Sequence, residues 1–179
     1  MLIWFNSPSI QKILDSTPAH TLEIGCNHLY RLRRLSHCVA YDPRTRDQII
    51  QDLQEHQNGH LPQFFCRNGS GKDFFKDVIT PNRLAPEDSG TLAIALAIFY
   101  LKQKDIGIVG CDWHTDETRS LFDARYTHKK IYPKVTNSKL QLLRTYQREL
   151  GVRFCFYGER PISKEFAHAK VEDLSYSSS

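Results

Sequence analysis

A chain of 179 residues with 40% hydrophobic content can fill one well-packed core and gives no reason to posit two. Its formal charge of +4 accommodates a phosphate-bearing ligand but is too small to argue for nucleic acid, and no apolar run reaches membrane-spanning length. Five cysteines without a CxxC pair read as free thiols in a reducing cytoplasm rather than a disulfide framework or zinc site, and the start MLIWFNSPS lacks the pattern of a secretory signal.

Leu2 to Phe5 reads as a first strand, and Asn6-Ser7-Pro8-Ser9 leads into a helical piece near Ile10 to Leu14, with Pro8 suited to a first turn. Thr21 to Gly25 is the second strand, followed by a short helical or irregular piece from His28 to Leu35. His37 to Tyr41 is a third strand ending in Asp42, with Pro43 marking its stop. The spacing of Ile49, Ile50 and Leu53 predicts an amphipathic helix over 45–57, closed by Asn58-Gly59. Gln63 to Cys66 is a candidate fourth strand, and 67–88, rich in Gly, Asn, Asp and Pro, reads as a long loop with one helical turn at Phe74 to Val78.

A helix opens at Ser89-Gly90, and the strand Ile106 to Gly110 runs out into Asp112 and His114. A polar, basic stretch then precedes a helix over 138–150, whose Leu140, Leu143, Tyr146 and Leu150 share a face and whose end is marked by Gly151. Val152 to Tyr157 is the last predicted strand, and residues 165–179 read as a poorly ordered tail. Strands alternating with helices predict a single Rossmann-like, three-layer α/β domain over 1–164, its mostly parallel sheet flanked by helices.

In an open α/β sheet, ligands bind outside the carboxyl ends of the strands, which makes Asn6, Asn27, Asp42 and Asp112 candidate neighbours. The Ser89-Gly90 helix start offers a hydroxyl and backbone N–H groups to an anion, while the following strand brings Asp112 and His114 to the same edge. Asn68-Gly69-Ser70-Gly71-Lys72 is not a phosphate-binding P-loop, because Cys66 stands where its first glycine would fall and Asp73 where Ser or Thr is required. Asp112, His114, Asp116 and Glu117 carry ligand atoms suited to a divalent ion such as Mg²⁺.

The exits FNSPS, IGCNHLY and AYDP, the helix SGTLAIALAI, the strand IGIVGCDWH and the segment FDARYTHKKIYPKVTNSKLQLLRTYQRELGVRFCFYG follow one another in an order that resembles the bacterial sialyltransferase-like fold and the related MptE-like proteins, including small bacteriophage versions. The resemblance covers about residues 1–160 and implies a metal-independent glycosyltransferase using a CMP-sugar-like donor and an acceptor that the sequence does not identify. It implies that Asn6 and Asn27 contact the nucleotide, that Ser89 and Gly90 sit beside the donor, and that Tyr126 and Tyr132 belong to a lid over about 115–138. Ser7 replaces the glycine that the family prefers in its opening loop, and Lys134 stands near the place of its lid histidine, with His128 a few residues earlier. For sugar transfer, Asp112 or His114 is the candidate base, and His128, Lys130 or Lys134 the candidate partner of the departing phosphate. The MptE-like branch implies a rival, Mg²⁺-dependent pyrophosphate transfer to a pterin; a degenerate member that only binds a nucleotide, or a phage structural protein, is the non-enzymatic alternative.

Overall fold

The apolar runs pair with one another along a single ladder. A computed structural model describes residues 1–7, 10–11, 13–14, 22–55, 60–67, 74–111, 113, 117–118, 129–130, 133–158 and 161–176. Its strands are β1 (Leu2–Trp4), β2 (Glu23–Cys26), β3 (His37–Val39), β4 (Gln63–Cys66), β5 (Phe75–Asp77), β6 (Asp105–Val109), a small ribbon of β7 (Glu117–Thr118) and β8 (Lys129–Lys130), β9 (Arg153–Tyr157) and β10 (Ala167–Ala169). Its α-helices are α1 (Pro43–Glu55), α2 (Ser89–Ala95) and α3 (Pro133–Leu150). Apart from the antiparallel β7–β8 ribbon, the strands form one eight-stranded, all-parallel sheet in the order β10-β9-β6-β1-β2-β3-β4-β5.

Period-2 alternation sends side chains to two layers. Ile3, Phe5, Ile24, Cys26, Val39 and Phe65 face α2 and the inner side of α3, where Leu143 and Tyr146 are fully buried. Leu2 and Trp4 face the other way, onto Ile10, Leu29, Leu35 and Leu174, while Ile49 and Leu53 of α1 pack over Phe64, Cys66 and Phe75. Each large side chain removed from water in this way contributes roughly 1.5–3 kcal/mol. Beneath Trp4, Arg33 closes a bidentate pair with buried Glu23 at 2.6 and 2.7 Å and lies 4.3 Å from the Trp4 ring centroid.

Strand order locates the crevice. From β1 the chain steps outward through β2, β3, β4 and β5, and α2, packed on β2 and β3, carries it back to β6 on the far side of β1. The winding therefore reverses between β1 and β6, the switch point at whose carboxyl edge open α/β sheets hold ligands.

Four expectations are corrected. The helical turn at Phe74 to Val78 is instead strand β5, paired Phe64↔Phe75 to Cys66↔Asp77, and it escapes a pattern reading because its exposed residues, Lys76 and Asp77, are charged. Helix α1 begins at Pro43, which suits a first helical position, rather than at 45. Helix α3 begins at Pro133, so Lys134 belongs to its first turn and not to a lid that precedes it. The supposed tail supplies the eighth strand, β10, with Phe166 and Leu174 buried on either side of it.

Candidate functional site

At the switch point two strand exits are packed tightly together. Gly110, just past β6, has φ of +72°, and a Cβ there would fall 2.2 Å from Ile10 Cγ2, with Phe5 O at 3.4 Å and Ser7 Oγ at 3.5 Å. The hydroxyl of Ser7 is thus turned into the junction of the β1 and β6 exits, where the residue is buried, while its neighbour Asn6 is half-buried. Gly90 meets the same wall: a Cβ would stand 2.6 Å from the Phe5 ring, so the α2 start can approach β1 only as glycine. Phe5 in turn packs on Trp113, with ring centroids 5.6 Å apart.

Helix α2 opens at Ser89, as the sequence predicts, and its cap is the residue before. Asp88, one residue before Ser89, is the N-cap: its carboxylate accepts Thr91 N–H at 2.8 Å in a capping box completed by the Thr91 hydroxyl. The other Asp88 oxygen pairs with the Lys139 ammonium, which is buried and lies 5.1 Å from the Trp113 ring centroid. A carboxylate already caps the helix start through the Thr91 N–H, and its charge opposes a second anion at this end.

Ser89 instead joins three elements. Its Oγ accepts the Tyr41 N–H at 3.1 Å, beyond β3, and its hydroxyl donates to Asn27 Oδ1 at 2.8 Å, beyond β2. Asn27 takes this position with φ of +57°, a left-handed conformation that asparagine tolerates better than most side chains. With Oδ1 accepting, the Nδ2 hydrogens of this half-buried amide remain to donate. Tyr41 extends the chain of contacts: its hydroxyl accepts Arg67 Nη1 at 2.7 Å, just past β4, and the same nitrogen reaches Pro86 O at 3.3 Å. Asp42, exposed beside Tyr41, accepts the Arg44 N–H at 2.8 Å and so caps α1.

Two thiols line the underside of this rim, Cys26 donating to Ser89 O at 3.5 Å and Cys38 to Asn27 O at 3.0 Å. Burial pushes both thiols well up from their ordinary values, so they are hydrogen-bond donors and not nucleophiles.

The structure therefore brings Asn27, Ser89 and Gly90 together, keeps Asn6 and Ser7 at the neighbouring β1 exit and sets Asp42 at the start of α1. Asp112, His114, Tyr126, His128 and Tyr132, the lid and catalytic candidates, lie outside the described residues, as do Asp116 and the side chain of Lys134. Among the described residues, no group of three His, Cys, Asp or Glu side chains is placed to hold a metal. Sequence reading missed Tyr41, Arg67, Asp88 and Lys139. The rule that selected Asn27 and Asp42, a polar residue directly after an apolar strand, also fits Arg67, which the reading of 67–88 as loop had absorbed. No family model, curated protein or solved structure matches the chain.

Proposed function

We propose that the chain binds a nucleotide-activated donor of CMP-sugar type at the carboxyl rim of its sheet and transfers the sugar to an acceptor hydroxyl without a bound metal. One observation carries this reading: the carboxyl ends of β2, β3 and β4 are linked through Ser89 and the Tyr41 hydroxyl into one polar chain, Asn27–Ser89–Tyr41–Arg67, which runs along the rim from the strand next to β1. The resemblance to the sialyltransferase-like fold supplies the reaction. The acceptor oxygen bonds to the anomeric carbon as its proton passes to Asp112 or His114, the bond from that carbon to the phosphate oxygen breaks, and the freed CMP phosphate is met by His128 or Lys134.

Release of CMP from a CMP-sugar, followed with and without added sugar acceptors, tests the proposal. Slow release by the wild type, abolished in Asp112→Ala with the circular dichroism spectrum unchanged, is the expected result. The bonds that already occupy Ser89 and Asp42 favour one alternative, a binding module derived from such an enzyme, and tight CMP binding without turnover would select it. Failure to bind any nucleotide would overturn both.

A further inference from the structure

We infer that Arg67, paired with Tyr41, is an anion seat that receives the phosphate of the ligand; this deepens the nucleotide reading above and rests on it. Arg67 is half-buried immediately after β4, with its guanidinium carbon 5.8 Å from the Tyr41 ring centroid. Its bonds run from Nη1 to two neutral oxygens, Tyr41 Oη and Pro86 O, and among the described residues no carboxylate pairs with it. Other arginines of the fold are neutralised: Arg33 by Glu23, Arg31 by Asp52, Arg83 by Glu149, Arg144 by Glu165 and Arg153 by Asp105.

A guanidinium has five N–H donors in a rigid fork. With Nη1 anchored, Nη2 and Nε are left as the parallel pair that grips a phosphate bidentately. The Tyr41 backbone is tied to Ser89 through its N–H, and the hydroxyl it offers to Arg67 orients the fork. The Asn27 amide, held by the same serine, adds neutral donors on the same rim. The chemistry selected is a phosphate or pyrophosphate group, recognised by a positioned cation flanked by an aromatic ring.

Calorimetric titration with inorganic pyrophosphate, and separately with CMP and cytidine, tests this. Wild type is expected to bind pyrophosphate and to prefer CMP over cytidine; Arg67→Gln is expected to weaken pyrophosphate about 10- to 100-fold and to erase the CMP preference. Arg44→Gln, an exposed cation at the start of α1, is expected to leave both unchanged. Should Arg67→Gln not fold, Arg67→Lys, which keeps the charge and loses the fork, must still weaken pyrophosphate. Absence of pyrophosphate binding by the wild type, or binding that Arg67→Gln leaves intact while melting temperature falls, overturns the seat and reduces Arg67 to a structural tie. Pyrophosphate binding that depends on Arg67, without preference for CMP, keeps the seat and ends the nucleotide reading; CMP binding that ignores Arg67 does the reverse.

Discussion

Gly110 carries two constraints at once, a φ of +72° and a Cβ position 2.2 Å from Ile10 Cγ2. Alanine there would meet left-handed strain of about 1–3 kcal/mol and overpacking of a similar size, so Gly110→Ala is expected to lower stability by at least about 2 kcal/mol in a urea melt. Because the strain falls where the β1 and β6 exits touch, the variant should also disturb Ser7 and Phe5, which line the same junction. A melt indistinguishable from wild type would show that the two exits are not packed as described. Asn27 is the opposite case, a left-handed residue whose side chain is needed as well as its backbone, since Oδ1 anchors Ser89.

Helix α2 is held at its start by a cap that is also half of a charge pair. Asp88→Ala removes an N-cap worth about 1 kcal/mol and also strands the buried Lys139 ammonium against Trp113, so a total loss of about 2–4 kcal/mol is expected. Asp88→Asn keeps the cap and should recover about 1 kcal/mol of that loss, the part that Lys139 does not determine. Equal destabilisation by Ala and Asn would contradict the division. At this scale the inner strands were legible, because β1, β3, β4 and β6 are apolar on both faces and flanked by turn residues. The edge strands β5 and β10 were not: each shows mainly exposed residues, and their pairing is decided by the neighbour, not by their own pattern. The site was half legible for a related reason. Polar strand exits named Asn27, but the role of Ser89 turned on Asp88, one position earlier, whose capping left the serine hydroxyl to bind sideways instead of outward.

Across the whole molecule the two ends of the sheet have different work. His37 opens β3 at the amino end, away from the rim, and burial, aided by the charge of Lys76, holds its imidazole below 6.5. The unfolded chain then takes up this proton at higher pH than the folded one, so the contribution is complete above about pH 6.5 and is lost as pH falls through the lowered folded value. Urea midpoints at about pH 7.5 and about pH 5.5 should therefore fall further apart in wild type than in His37→Asn; equal falls would exclude the effect. The carboxyl end carries the linked polar groups of β2, β3 and β4 and is the proposed seat of the ligand. Titration of ¹⁵N-labelled protein with CMP compares the two ends in one experiment: shifts concentrated at Asn27, Tyr41, Arg67 and Ser89 are predicted, and shifts confined to the amino end around Glu23, His37 and Lys104, or none at saturating CMP, would contradict the central claim.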